Sequence, residues 1–128
     1  MPKLTHSISV SVGERPLEVT LDVISTSGEG LACFLHGGTL PHVGGQALAS
    51  PGPQLHGRQL SRCDLWMATV PGHKDAEAAA AVARRLCIAC GEPVSVTAGI
   101  HVDDATPKQV QTLFDNCLAV AEEAIRRL

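Results

Sequence analysis

An α+β fold, one largely antiparallel β-sheet with two helices packed on it, is predicted by three features of the sequence. The first third alternates apolar and polar residues with period two, broken only by short turns rich in glycine and proline. Two later stretches, from Lys74 to Cys90 and from Thr106 to Leu128, switch to helical periodicity. The chain is 45% apolar over 128 residues, enough for one core and too short for two, so residues 1–128 are read as a single domain.

Taken in order, "SISVSVG" and "LEVTLDVIST" flank a turn from Gly13 to Pro16 and form a β-hairpin. "SGEG" is a second turn and "LACFLHG" a third strand, and such short connections imply an antiparallel meander. Residues 37–60 carry many Gly and Pro without sustained periodicity. They read as a long loop, functional or mobile, with room for a short helical turn at "GGQALAS". "CDLWMATV" is a fourth strand ending at Pro71. The first helix then turns Ala79, Val82, Ala83, Leu86, Cys87 and Cys90 to one face, and Gly91 stops it. "PVSVTAGIHV" is the fifth strand. The second helix opens with Thr106 as N-cap, Pro107 at its first position and Gln109 completing a capping box. Its apolar stripe is Val110, Leu113, Phe114, Cys117, Ala121, Ala124 and Leu128. Two helices on one sheet leave a further sheet face, assigned here to Val10, Val19 and Leu21, and a homodimer is expected to cover it.

Composition excludes several classes of function. With one tryptophan, two phenylalanines and no tyrosine, the core must be aliphatic and rich in alanine. A net charge of −3 and scattered basic residues argue against nucleic acid as a partner. The apolar run "AAAAVARRLCIAC" is interrupted by Arg84 and Arg85, and no membrane span or signal peptide is read anywhere. Five cysteines, an odd number without framework spacing, suit reduced thiols and a cytoplasmic location. "CIAC", Cys87 to Cys90, has redox spacing but sits at a helix C-terminus, the wrong end for a lowered thiol pKa, and is assigned to core packing.

The histidines carry the chemistry. His42 lies in the loop after the third strand, His73 follows the fourth and His101 closes the fifth. If these strands run the same way, the three imidazoles meet at one sheet edge, where ligand sites of helix-covered sheets concentrate. Three imidazoles suit zinc, manganese, iron or nickel with coordination positions left open. Asp103 and Asp104 are placed to ligate or to orient an imidazole, and His36 to support the set. His6 and His56 are read as solvent-facing. Lys74, at a helix N-terminus with free backbone N–H groups, is a candidate seat for an anionic group such as phosphate.

In this order, "GGTLPHVGG", "VPGHKD" and "AGIHVDDAT" resemble the LpdD-like family, with similarity running from the first hairpin to the final helix. The resemblance implies a dimeric fold similar to proteasome-assembly chaperones. It also implies a chaperone or carrier of prenylated flavin mononucleotide, the cofactor of UbiD-type decarboxylases. Carried over residue by residue, the family's histidines match His42, His73 and His101, implying a metal site that helps hold the flavin. Its glycines match Gly38, Gly44 and Gly72, which join Lys74 as cofactor-binding candidates. Because Trp66 is the only large ring, a dimer interface is expected to supply a second wall for the flavin.

The leading expectation is therefore a metal-dependent cofactor chaperone rather than an enzyme. A small three-histidine metalloenzyme, with Asp103 or Asp104 as its acid–base group, is the second reading. A purely structural assembly factor is the third.

Overall fold

The computed structural model describes residues 4–52, 54–59 and 62–128. The chain runs β1 (His6–Val12), β2 (Val19–Ser25), β3 (Leu31–Gly38), β4 (Gly45–Pro51), β5 (Gln54–Leu55), β6 (Arg58–Gln59), β7 (Cys63–Thr69), α1 (Asp75–Cys90), β8 (Val94–His101) and α2 (Pro107–Arg127). Six strands form one sheet in the order β1-β2-β3-β8-β4-β7, and β5 and β6 form a separate small hairpin. The expected α+β class, mostly antiparallel with two helices, is what the chain adopts.

The first three strands are the antiparallel meander their short turns imply. β8 lies at the centre, parallel to β3 from Leu31↔Val94 to Gly38↔His101 and antiparallel to β4 from Gly45↔Ala98 to Ala49↔Val94. β4 in turn pairs antiparallel with β7. It follows that β3, β7 and β8 point the same way and end at one edge of the sheet.

The long loop expected over residues 37–60 is largely absent. β4 replaces the helical turn expected at "GGQALAS" and stands in the sheet between β7 and β8, the two parallel strands that α1 joins. Its inward positions are Gly45, Ala47 and Ala49, all buried, whereas Gln46 and Leu48 face outward and are exposed. A Cβ on Gly45 would run into the backbone of Ala76, so the strand and α1 approach to the limit that a missing side chain allows.

The core lies between the sheet and the helices. α1 contributes Ala76, Ala79, Val82, Ala83, Leu86 and Cys87 against β4 and β8, and α2 packs against β1 and β2. Val10, Val19 and Leu21 are at most 2% exposed and belong to this helix-covered side, not to the open face assigned from the sequence. The error arose because alternation identifies two faces without saying which one a helix will cover. The open face instead carries polar pairs, Ser9 to Asp22 at 2.6 Å and Ser11 to Thr20 at 2.8 Å, beside exposed Ile24, Leu48 and Trp66.

α2 begins as its sequence demands. Thr106 Oγ1 accepts from Gln109 N at 3.1 Å and Gln109 Oε1 accepts from Thr106 N at 2.9 Å, a closed capping box. Gly91 ends α1 in the left-handed conformation, its N–H bonded to the Cys87 carbonyl at 2.8 Å. Leu113, Cys117, Ala121 and Ala124 are buried as the stripe requires, together with Val120, but Val110, Phe114 and Leu128 are exposed. A bidentate pair from Arg85 to Glu122 ties the helices together, and Asn116 Nδ2 donates to the Leu17 carbonyl at 2.9 Å, tying α2 to the β1–β2 turn.

All five cysteines are free, and burial pushes the Cys33 and Cys117 thiols up to about 12 and Cys87 up to about 11. Thiols so disfavoured as thiolates behave as small apolar side chains. No helix among the described residues is long and apolar enough to cross a membrane.

Candidate functional site

The ends of β3, β7 and β8 are drawn together by the segment that links β3 to β4. Thr39 N donates to the His101 carbonyl at 2.7 Å, Gly44 N to the Ala98 carbonyl at 2.9 Å, and Val70 N to the Gly44 carbonyl at 2.9 Å. The segment thus lies across the end of β8. A Cβ on Gly99 would collide with the His42 carbonyl, so the loop rests directly on the strand's backbone. Gly44 has a related role: a Cβ there would occupy the space of the Asp75 carboxylate and approach the His42 ring.

His42 points from this loop at the start of α1. Its Nδ1 is 2.9 Å from the Leu40 carbonyl and its Nε2 is 2.9 Å from Asp75 Oδ2. The same carboxylate oxygen is 3.5 Å from His73 Nδ1, while Asp75 Oδ1 accepts from Ile100 N at 3.0 Å. His42 and His73 rings stand 5.0 Å apart between centroids. One ligand atom each from His42, His73 and Asp75 lie within 4.8 Å of one another, as a bound metal ion requires.

The protonation of His42 tests whether a metal fits. Both of its nitrogens face acceptor oxygens, and a neutral imidazole has a single N–H. Either a second proton or a metal ion must therefore lie between Nε2 and the carboxylate. In the absence of metal the proton is favoured: the Leu40 carbonyl raises the His42 pKa above its ordinary value, burial works against this, and Asp75 adds to the rise. Two ligand atoms on a tetrahedral ion with bonds of about 2.1 Å stand about 3.4 Å apart. His73 Nδ1 and Asp75 Oδ2, 3.5 Å apart, have that spacing, while His42 Nε2 stands closer to the carboxylate, at 2.9 Å. Two imidazoles and one carboxylate suit zinc, manganese, iron or nickel and leave coordination positions open.

Of the three histidines named from the sequence, the structure brings together two. His101 is close, its ring 6.4 Å from that of His42, but its Nε2 is held by Asp103 Oδ1 at 2.7 Å. Asp103 is thus paired with the His101 ring, whereas Asp104 is exposed with a φ of +51°. His36 is paired with Asp22 on the open face at 2.8 Å and does not reach the cluster. His6 and His56 are exposed. Gly38 adopts a φ of +71° against the His101 carbonyl, and Gly72, at +84°, shapes the turn before His73.

Asp75 is the residue that sequence reasoning missed. As the first residue of a helix it reads as a complement to the helix dipole, and only its spacing of two from His73 hinted at a shared site.

Beside the cluster, a cleft of about 310 Å³ opens between the first turns of α1 and α2. Its polar lining is Lys74, Asp75, Glu77 and His101, and Ala78, Ile100, Val110 and Phe114 are among its apolar residues. Phe114, 37% exposed, is thus a ring at the site that the sequence had assigned to the core. Trp66 is on the open face, lining a separate depression with Leu48 and Ser95.

Residues 13–128 match the family model for the prenylated flavin chaperone LpdD-like domain. No curated protein matches the chain. Among solved structures, the fold is similar to a chain in the crystal structure of a chaperone complex for yeast 20S proteasome assembly. That likeness has a TM-score of 0.60 and 12% identity over 97% of this chain and 94% of the other, and it concerns the fold alone.

Proposed function

We infer the function from one premise: the chain belongs to the prenylated flavin chaperone LpdD-like family. On that basis the protein binds prenylated flavin mononucleotide, protects it, and passes it to a UbiD-type decarboxylase without itself turning over a substrate. The observation that carries the metal-dependent form of this reading is the cluster itself: His42 Nε2 and His73 Nδ1 both face Asp75 Oδ2, at 2.9 and 3.5 Å, with one ligand atom from each residue within 4.8 Å of the others. His42, His73 and Asp75 would hold a divalent transition ion, and His101 would complete the set by exchanging Asp103 for the metal. Such an ion supplies a Lewis-acidic centre with open positions for the oxygen or nitrogen atoms of a flavin.

The remaining residues have distinct parts. Lys74 offers an ammonium to the flavin phosphate at the rim of the cleft. Gly38 and Gly44 act on the flavin indirectly, by leaving room for the His101 carbonyl and the Asp75 carboxylate, and Gly72 by its left-handed turn before His73. A second copy of the chain covers the apolar part of the open face around Leu48 and Trp66, giving a cytoplasmic homodimer.

Transfer is the test. Metal-loaded protein carrying prenylated flavin mononucleotide is mixed anaerobically with a cofactor-free UbiD-type decarboxylase, and decarboxylation is followed in time. Faster activation than with an equal amount of free cofactor, when both cofactor samples are held in air for the same time before the anaerobic mixing, supports a chaperone. Equal or slower activation contradicts it.

A further inference from the structure

The cleft between α1 and α2 shows a feature that core packing does not explain. Val110 and Phe114 stand one helical turn apart on α2, 55% and 37% exposed, on the wall of a cavity rather than in the core beneath it. Leu113 and Cys117 of the same helix are buried, at 9% and 1%, so α2 is seated and the two exposed side chains are not the result of a helix lifted off the sheet. The same cleft is lined by Ala78 of α1 and Ile100 of β8, and its polar residues are Lys74, Asp75, Glu77 and His101. A cleft that combines apolar residues with polar ones, and shares Asp75 with the His42 and His73 cluster, is matched by a flat, largely apolar ring system that carries polar atoms along one edge.

We propose that this cleft is the seat of the flavin's ring system, with its prenyl-derived addition, held between Phe114 and Val110 on one side and Ala78 on the other. The polar edge of the rings then lies toward the His42, His73 and Asp75 cluster. This assignment rests on the flavin-binding role given above and names where in the molecule it is carried out. The size is selective: about 310 Å³ is at the small end of the roughly 300–1,000 Å³ range of small-molecule sites. In this assignment the ring system takes the cleft and the ribityl phosphate is directed to the ammonium of Lys74, which also lines it. An aromatic side chain on the wall also supplies the stacking partner that Trp66, on the open face, does not provide.

The test uses the full-length protein loaded with zinc or manganese and titrated anaerobically with prenylated flavin mononucleotide, read by flavin fluorescence. Phe114→Ser and Val110→Asp change exposed positions, and thermal melts establish that each variant is folded. Arg84→Glu, on the exposed side of α1, is the control. Each cleft variant is expected to weaken flavin binding at least roughly tenfold while its metal content and the control's affinity stay unchanged; unmodified flavin mononucleotide, which lacks the apolar addition, is expected to bind wild type less tightly. Wild-type affinity in both cleft variants would overturn the assignment of the cleft and leave flavin binding intact elsewhere. An equal loss in Arg84→Glu would also overturn it. Failure of the wild-type protein to bind prenylated flavin at all would instead remove the flavin-binding role itself.

Discussion

His42 and Asp75, 33 residues apart in the chain, meet at 2.9 Å where the β3–β4 loop crosses the end of β8 and the start of α1. The contact depends on three backbone arrangements: the loop resting on Gly99, the vacancy left by Gly44, and the Asp75 carboxylate anchored by Ile100 N. Carboxylate and imidazole are thus held from both sides by backbone contacts, the preorganisation on which the proposed metal site rests.

Asp75→Asn should retain the bond from Ile100 N through its amide oxygen while removing the negative charge between the histidines. Metal affinity is expected to fall by more than the roughly 10- to 100-fold typical of losing a supporting group, with little change in thermal stability. Asp75→Ala should lose metal to the same degree and in addition cost about 1–3 kcal/mol, because a backbone N–H loses its acceptor. Isothermal titration with zinc and urea unfolding of the metal-free variants separate the two effects.

Gly99→Ala places a methyl group against the His42 carbonyl. The loop must lift from the strand, with a destabilisation of about 1–3 kcal/mol from overpacking and a weaker metal site, although Gly99 bears no ligand atom. The checks are a lower urea midpoint and a lower zinc affinity in the same variant.

The elevated pKa of His42 gives a pH dependence with a defined sign. In metal-free protein its protonated form is favoured by the Leu40 carbonyl first, against burial, and then by Asp75. A histidine whose folded pKa exceeds its unfolded value stabilises the fold fully below that unfolded value, near 6.5, and the contribution is lost as pH rises through the folded value. Metal has the opposite preference, since it needs the deprotonated nitrogen, so metal affinity should rise over the same interval. An NMR titration of the His42 ring in chelated protein should have its midpoint above 6.5, moving down in Asp75→Asn. A midpoint at or below 6.5 in the wild type would contradict the geometry.

Buried thiols should resist labelling. With Cys33 and Cys117 pushed up to about 12 and Cys87 up to about 11, a thiol reagent at pH 8 should leave these three unmodified until the protein unfolds. Peptide mass spectrometry after labelling of native protein checks this, and rapid modification of Cys87 would contradict the packing of α1.

Much of this was legible in the sequence because period and punctuation are local properties. The meander, the Thr106 capping box, the Gly91 stop and the positions of His42, His73 and His101 at strand ends could all be read directly. β4 was hidden because its pattern is inverted in size: the inward residues are Gly45, Ala47 and Ala49 and the outward Leu48 is larger, a consequence of the alanine surface of α1 lying so close. Val10, Val19 and Leu21 were given the wrong face because the position of α2 is settled by packing across the sheet, not by alternation. Val110 and Phe114 continue the apolar stripe of α2 yet line a cleft, because periodicity does not distinguish a wall of a cavity from a core. Asp75 escaped notice because helix-start acids are common and its partner His42 is remote in the chain.

Metal and flavin acting together at one site is tested most directly by anaerobic titration of the purified protein with prenylated flavin mononucleotide before and after chelation. Saturable binding that disappears with the metal, returns on adding zinc or manganese, and is absent in His42→Ala and Asp75→Asn is the expected result. Undiminished binding to protein verified as metal-free would contradict a shared site and separate the His42, His73 and Asp75 cluster from the flavin.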